Sequence, residues 1–202
     1  ALFDQLQGGA NHFSTFDLSH GYHQCVLHPS DRPKTAFRTL FGSYQWTVMT
    51  FGFSNAVPAF VKLLEKVLRP HLGIRCAVYL DDILLYTNGD ETKHEDDVCK
   101  VLESIRDAGL YVNWVKSEVD CERLEYLGYV LTKNGIFPIS SKVDAIKNWT
   151  TPTTLYQLRS FLGAVGFYRK FIFNFGKIAQ PLTDLTRNDD NRKKVNDTNK
   201  SF

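Results

Sequence analysis

The chain has 202 residues, of which 43% are hydrophobic, and a formal net charge of +2 at pH 7. This size and hydrophobic content suit one large globular domain or a domain with a small appendage. No apolar run reaches the roughly eighteen residues that a membrane span needs. The four cysteines are scattered without a Cys-X-X-Cys pair. The composition therefore indicates neither a membrane protein, nor a disulfide framework, nor a zinc knuckle.

Short strand patterns come first in the chain. Residues 13–18 have the pattern of a strand that presents Asp17 at its end, and Gly21 then allows a sharp turn. Further strand candidates follow at 24–27, 34–39 and 44–50. Apolar residues spaced three and four apart from Ala59 to Leu68 then predict a helix that packs on a sheet.

Two adjacent acids, Asp81 and Asp82, lie between two apolar, strand-like runs. The pattern predicts a β-hairpin that turns at the two acids. Such a turn needs positive φ, which usually falls to glycine, and here it also sets like charges side by side. A divalent cation would compensate for both costs. An acidic surface turn that promotes solubility is the plainer interpretation.

The remaining elements complete an α+β pattern. They are a helix at 92–107, a hairpin built from 124–131 and 135–137, and short helices at 142–149, 154–163 and 165–173. We expect an antiparallel sheet with helices on one face, in ferredoxin-like order, followed by a small helical subdomain. In that order the first strand lies beside the acidic hairpin and brings Asp17 towards Asp81 and Asp82. The polar end of the chain is expected to be disordered.

Five separated motifs, in a fixed order, resemble those of the reverse transcriptases of gypsy-type LTR retrotransposons and, more distantly, of retroviruses. The motifs are FSTFDLSHGYHQ at 13–24, KTAFRT at 34–39, YLDDIL at 79–84, LGY at 127–129 and LRSFLG at 158–163. The resemblance covers about residues 2–185. An ordered set of this kind is far more specific than the Tyr-X-Asp-Asp tetrapeptide alone.

The resemblance implies a polymerase palm with a remnant of the fingers at 1–139, the start of a helical thumb at 140–187 and a polar tail at 188–202. The fingers would be largely missing. It implies template-directed addition of deoxynucleotides to a primer 3′-hydroxyl, on an RNA or DNA template, by two Mg²⁺ ions, for which Mn²⁺ can substitute. The implied metal ligands are Asp17, the Leu18 carbonyl, Asp81 and Asp82.

Other residues match positions around the nucleotide and the primer in this family. Lys116 matches a lysine proposed as proton donor to pyrophosphate, with a surface lysine as the plainer interpretation. Tyr22 matches an aromatic gate against the 2′-hydroxyl, with a core tyrosine as the alternative. The implied nucleotide-binding set is Leu18, Ser19, His20, Gly21, Tyr22, Phe51 and Gly52, and the implied primer grip is Leu127, Gly128 and Tyr129.

The sequence also departs from the family pattern near the template, for example at Thr50 and Val57, where proline is usual. We expect the chain to be part of a Pol polyprotein that also carries RNase H, integrase and protease. An intracellular location is then implied, in cytoplasmic virus-like particles and the nucleus. Two alternatives stay open: an inactive genomic remnant that keeps a nucleic-acid-binding fold, and an unrelated two-metal nuclease or phosphatase.

Overall fold

The computed structural model describes residues 9–198, and it describes side chains as far as Arg187. Within it the chain divides into two compact units between Phe137 and Pro138. This division lies next to the predicted boundary after residue 139, although the assignment of the two parts to a palm and a thumb stays a prediction. The first eight residues of the predicted palm and the last four of the predicted tail lie outside the described residues.

Strands from three sheets dominate the first unit. They are β1 (His12–Asp17), β2 (Phe37–Thr39), β3 (Gly42–Tyr44), β4 (Cys76–Tyr79), β5 (Asp82–Thr87), β6 (Glu118–Cys121), β7 (Arg123–Tyr126), β8 (Tyr129–Thr132) and β9 (Gly135–Pro138). The main sheet has the order β4-β5-β1-β6, and β5 pairs antiparallel with both β4 and β1. The predicted ferredoxin-like order, with the first strand beside the acidic hairpin, is confirmed.

Two helices cover one face of the main sheet, as expected. They are α1 (Ala56–Leu68) and α2 (Glu91–Asp107). In each helix, apolar residues at spacings of three and four line the face that packs on the sheet. Phe60 and Leu64 of α1 and Val101 of α2 are completely buried there. Phe16 and Ile83, from β1 and β5, complete this core.

The opposite face of the main sheet packs on the small sheet β7-β8-β9. Because side chains alternate across a strand, Phe13 and Leu84 point to this second side. They form a separate core with Leu124 and Leu131. Strand β5 is therefore covered on both faces, and its last five residues are all buried.

The segment between β1 and α1 differs from the three strands that the sequence predicts. Gly21–Gln24 and Arg32–Thr35 are short 3-10 helices. Among the described residues of this segment, ladder pairing is confined to the exposed β2–β3 hairpin, and Val26 meets Val48 in one isolated bridge. Pro33 lies at the start of the second 3-10 helix and fixes φ in a range that suits it. The strand predicted at 34–39 is therefore confirmed for Phe37–Thr39 alone, and the strands predicted at 24–27 and 44–50 were wrong, apart from Tyr44 at the end of β3.

A buried polar network, which the sequence pattern does not reveal, joins α2 to the main sheet. The ring of His94 is fully buried, with Nε2 2.7 Å from Ser14 Oγ and Nδ1 2.9 Å from Thr87 Oγ1. Thr87 also donates to Asp97 at 3.3 Å, and Asp97 pairs with Arg75 at 2.5 Å. Burial, the largest cause, lowers the pKa of His94. The neutral ring therefore serves as a structural link between helix and sheet.

The second unit is helical among the described residues. Its elements are α3 (Ser140–Lys147), α4 (Leu155–Phe167), a 3-10 turn (Arg169–Phe171) and α5 (Phe175–Thr198). A capping box between Thr154 and Gln157 starts α4. The predicted separate helix over 165–173 was wrong, because α4 continues through Val165 and the chain then turns at Asn174, where φ is 55°.

Helix α5 differs most from the sequence prediction. Its backbone is helical as far as Thr198, whereas disorder was expected from residue 188. No glycine or proline follows Pro181 in this segment, so nothing in the backbone chemistry requires the helix to stop earlier. The long helix is strongly polar, and none of the helices in the described part of the chain is apolar enough over sufficient length to cross a bilayer.

Candidate active site

The pairing of β1 with β5 places two of the predicted catalytic acids opposite each other. Asp17 is the last residue of β1, Asp82 is the first residue of β5, and the register makes them direct cross-strand partners. Both lie an even number of positions from Phe13 or Leu84, so they face the side of the sheet away from the helices. Asp81 immediately precedes Asp82. The three acids therefore lie at one end of the main sheet.

The turn of the acidic hairpin begins one residue earlier than the sequence predicts. Tyr79 pairs with Asp82, so the two turn residues are Leu80 and Asp81, and Asp82 belongs to the strand. The positive φ that such turns require falls on Leu80, at 58°. A non-glycine residue in this left-handed region costs roughly 1–2 kcal/mol. Backbone strain is therefore held next to the acids, although not on the residue that the sequence suggested.

The negative charges of Asp17 and Asp81 also act on Asp82 by electrostatic repulsion. Partial desolvation raises the pKa of Asp82, and the charges of Asp81 and Asp17 raise it further. Lys116 offsets part of this crowding, because its Nζ lies 3.7 Å from Asp17 Oδ2. Asp17 thus has a cationic neighbour, whereas the ionised form of Asp82 is disfavoured by the two nearby carboxylates.

The donor set suits a hard divalent cation. Carboxylate oxygens are the ligands that Mg²⁺ and Mn²⁺ prefer, and a cation would favour the ionised form of the crowded Asp82. In the part of the chain that the structure describes, however, no three His, Cys, Asp or Glu side chains are gathered into a metal-binding cluster. The arrangement therefore supplies the right chemistry at the right strand end without a closed cage.

The backbone at Leu18 pairs with a second segment next to the acids. Leu18 is buried and forms an isolated antiparallel bridge with Val112. The hydrogen bonds of this bridge are made by the residues on either side of Leu18 and Val112. Ser19 N donates to Tyr111 O at 3.0 Å, and Asn113 N donates to Asp17 O at 2.8 Å. The bridge consequently does not use the carbonyl of Leu18.

A side chain that sequence reasoning missed, Gln24, ties together two segments near the acids. Its Nε2 donates to Ser19 O and, at 2.9 Å, to Tyr111 O, and its Oε1 accepts from Tyr111 N at 2.7 Å. The residue ends the 3-10 helix that follows β1. A glutamine in such a turn has no distinctive spacing, so only the structure reveals this contact.

The turn after β1 has a different geometry from the one predicted. His20, rather than Gly21, adopts the left-handed conformation, with φ of 50°. Gly21 is buried, and a Cβ there would come within 2.7 Å of Phe60 Cζ. Glycine is therefore required by close packing against α1 and not by the turn itself.

Tyr22 lies in an aromatic cluster. Its ring centroid is 5.0 Å from that of Phe60 and 5.1 Å from that of Phe51. Phe51 is exposed, and Gly52 follows it with φ of 94° in open space. Two predicted nucleotide contacts that are distant in sequence, Tyr22 and Phe51, thus come together. The half-buried ring of Tyr22 packs against the core, as the core-tyrosine alternative expects, and the gate assignment stays a prediction.

The predicted primer grip is the turn between β7 and β8. Leu127 and Gly128 occupy it with φ of 48° and 80°, and Tyr129 is 7% exposed. The buried side chain of Tyr129 belongs to the small sheet, which leaves the turn itself as the accessible part. Tyr126, which sequence reasoning missed, donates its hydroxyl to Asp82 O at 3.2 Å. The hairpin is thereby tied to the strand that carries the acids.

Comparison with known proteins adds an independent line of evidence. A family model described as reverse transcriptase (RNA-dependent DNA polymerase) matches residues 3–131. The retrovirus-related Pol polyprotein from transposon opus of Drosophila melanogaster is 42% identical over 180 residues, which cover 89% of this chain and 18% of that protein. The corresponding polyprotein from transposon gypsy is 38% identical, with 89% and 17% covered. The transposon Tf2-3 polyprotein of Schizosaccharomyces pombe is 30% identical, with 93% and 14% covered.

Solved structures agree with these relatives. The foamy viral protease-reverse transcriptase bound to double-stranded DNA matches with a TM-score of 0.80 and 31% identity, over 89% of this chain and 31% of that one. The same kind of protein bound to an RNA/DNA hybrid matches with a TM-score of 0.75 and 31% identity, over 88% and 24%. This chain spans less than a fifth of the length of the curated relatives described above. Because the family model matches more than half of it, the chain belongs to the reverse transcriptase family.

Proposed function

We propose that this chain is the polymerising core of an RNA-directed DNA polymerase that copies a retrotransposon. The observation that carries the proposal is the register that sets Asp17 opposite Asp82, next to Asp81. The Nζ of Lys116 lies 3.7 Å from Asp17 Oδ2 at the same strand end. Several carboxylates beside the ammonium group of a lysine suit the transfer of a nucleotide with release of pyrophosphate. In this proposal the first unit is a palm with part of the fingers, and the second unit is the start of a thumb.

Asp17, Asp81 and Asp82 would hold two Mg²⁺ ions, or Mn²⁺ ions, with the Leu18 carbonyl as a backbone ligand. Bound ions of this kind activate the primer 3′-hydroxyl and neutralise charge on the triphosphate. The raised pKa of Asp82 supports this assignment, because like-charge crowding is what a cation site requires of its empty ligands. The bridge to Val112 supports it as well, because its hydrogen bonds leave the Leu18 carbonyl unused among the residues that the structure describes.

Lys116 would supply a proton to the leaving pyrophosphate. Its ammonium group is largely exposed, so it can move from Asp17 to an incoming triphosphate. An ammonium beside a departing anion both stabilises the developing charge and can donate a proton to it. The same lysine would hold the acid cluster together before the nucleotide binds.

Tyr22 would select deoxynucleotides. With one side of its ring against Phe60 and its edge near Phe51, the tyrosine cannot retreat into the core to admit an extra hydroxyl. The backbone of the turn at Ser19, His20 and Gly21 would lie beside the triphosphate, with Phe51 and Gly52 on the other side of the nucleotide. The Leu127–Tyr129 turn would contact the primer through its backbone.

The partners in this proposal are a primed RNA or DNA template and deoxynucleoside triphosphates. The foamy viral relatives were solved with an RNA/DNA hybrid and with double-stranded DNA, which supports a duplex substrate for this chain. The Pol polyprotein relatives support a longer parent protein with RNase H, integrase and protease. Virus-like particles in the cytoplasm and the nucleus are then the expected places of action.

Primer extension on an RNA template with Mg²⁺ tests the proposal. The 202-residue chain and a longer version with the adjoining upstream part of its polyprotein would each be compared with their Asp81→Asn, Asp82→Asn double variants. Exposed acids of α2, changed together as Asp96→Asn and Asp107→Asn, provide a matched control. We expect extension by the longer version and by its control, and none by its active-site variant.

Extension that survives the active-site double substitution would exclude metal-dependent catalysis by these acids. If neither length extends a primer while both bind one, the inactive-remnant alternative is correct. If the proteins instead cleave the nucleic acid in a Mg²⁺-dependent reaction, the carboxylates serve a nuclease.

A further inference from the structure

The amide of Gln24 is fully committed to backbone groups beside the acids. Both of its N–H groups point at carbonyls, those of Ser19 and Tyr111, and its oxygen accepts from Tyr111 N. The opposite amide orientation would aim the oxygen at two carbonyls and an N–H at another N–H, so one orientation alone satisfies the three partners. Gln24 thus pairs with Tyr111 as a neighbouring strand would, by both backbone groups at once.

Tyr111 begins the segment that carries Lys116. This segment is attached to the end of β1 by Ser19 N donating to Tyr111 O at 3.0 Å and by Asn113 N donating to Asp17 O at 2.8 Å. Lys116 N in turn donates to Asn113 O at 3.2 Å. The place of the Lys116 ammonium relative to Asp17 therefore depends on how residues 111–113 dock onto residues 17–19.

Burial holds this segment mainly through Val112, which is partly buried against the core, and through an edge contact of Trp114 with Phe16. Tyr111 is 72% exposed, Trp114 is 61% exposed and Val115 is 96% exposed. Its pairing with β1 is a single isolated bridge between Leu18 and Val112 and not a ladder. A segment with few buried apolar contacts and short pairing opens easily, so each side-chain hydrogen bond to it matters more.

We infer that Gln24 is a positioning residue that holds Lys116 in register with Asp17 for nucleotidyl transfer. The inference rests on the proposed function. Gln24 itself would touch neither substrate nor metal, and it acts through the docking of residues 111–113. Loss of the amide would leave the fold intact, because water can satisfy the exposed groups, but the ammonium would sample a wider range of positions. Small misplacements of a reacting group reduce rate steeply.

The kinetic test uses the longer version described above, with Gln24→Ala, Gln24→Glu, Lys116→Ala and the double variant Gln24→Ala, Lys116→Ala. Gln180→Ala, which removes an exposed amide from α5, is the control. We expect Gln24→Ala to lower kcat about tenfold while KM for the primed template and the melting temperature stay unchanged. Gln24→Glu keeps the acceptor for Tyr111 N but loses both donors, so its kcat should fall at least as far as that of Gln24→Ala. The double variant should be no slower than Lys116→Ala alone.

An additive double variant, or a kcat for Gln24→Ala equal to that of the control, would overturn the inference. A second readout does not depend on catalysis. Amide hydrogen exchange at Asn113, whose N–H is bonded to Asp17 O and not to Gln24, should become about tenfold faster in Gln24→Ala than in Gln180→Ala. Equal exchange at Asn113 in both variants would show that Gln24 does not hold the segment. If Asp82→Asn remains active, the proposed function fails, whereas the exchange result still decides the role of Gln24.

Discussion

Replacing Asp82 by asparagine should stabilise this chain when no divalent cation is present. Asp82 lies opposite Asp17 across the β1–β5 pair, at a Cβ separation of about 5 Å for such partners. Two unit charges at about 5 Å repel by roughly 0.8 kcal/mol in water and by roughly 3 kcal/mol at an effective dielectric constant of 20. Because Asp82 is exposed and Lys116 offsets part of the charge on Asp17, we expect the lower end, about 1 kcal/mol.

Thermal unfolding of the 202-residue chain at pH 7 measures this effect. In EDTA, about 1 kcal/mol corresponds to a rise of roughly 2–4 °C in the melting temperature of a protein of this size. Added Mg²⁺ should reverse the order, because at ten times the dissociation constant it stabilises a binding-competent chain by about 1.4 kcal/mol and Asp82→Asn should gain less. Asp144→Asn, an exposed acid of the second unit, should change neither value by more than about 0.5 kcal/mol.

The pH dependence of the same comparison supplies a check on its cause. The folded chain raises the pKa of Asp82 above its ordinary value of 3.8, so between these two values the folded state binds more protons than the unfolded state. The unfavourable contribution of Asp82 is therefore present above its folded pKa and is relieved as the pH falls. The advantage of Asp82→Asn should shrink as the pH falls from 7 towards 3.8. A variant that melts at or below the wild type in EDTA at pH 7 would refute the crowding argument.

Three further predictions concern the buried network at His94, the packing of Gly21 and the aromatic cluster at Tyr22. Because the pKa of His94 is lowered in the folded chain, its contribution to stability is present above the unfolded value of 6.5 and is lost as the pH falls below it, by at most about 1.4 kcal/mol per pH unit. The melting temperature of His94→Gln should therefore depend less on pH between 6.5 and 5, at a lower overall stability. Gly21→Ala would set a Cβ 2.7 Å from Phe60 Cζ and should lower the free energy of unfolding, measured in urea, by about 1–3 kcal/mol. Gly163→Ala, in open space on α4, should raise it by about 0.5–1 kcal/mol. Equal effects of the two substitutions would contradict the close-packing argument. Tyr22→Ala in the longer, active version should raise ribonucleotide incorporation in primer extension, and unchanged sugar selectivity would remove the gate assignment.

The parts of this fold that can be predicted from the sequence are those that rest on the spacing of apolar residues and on the ordered motifs. The helix faces of α1 and α2 and the strand order around Asp17 follow from apolar spacing together with the short links between elements. Two kinds of feature do not follow. The turn at Leu80 could not be located, because the residue that takes positive φ is set by the pairing of Tyr79 with Asp82 and not by turn chemistry. Gln24 and His94 have ordinary local patterns, and one partner of each, Tyr111 and Ser14 respectively, lies 87 and 80 residues away in the chain.

Strand β5 is the most completely buried strand of the main sheet, and this burial counteracts the strain at its start. Its first residue, Asp82, is a crowded acid that lies two residues after a leucine in the left-handed region, so the local costs are concentrated at this end of the strand. Its last five residues are all buried, between the core against the helices and the core against the small sheet. Tyr126 adds a hydrogen bond to the carbonyl of Asp82 itself. Burial on both faces therefore offsets the local cost of a strained turn and a crowded acid at the start of β5.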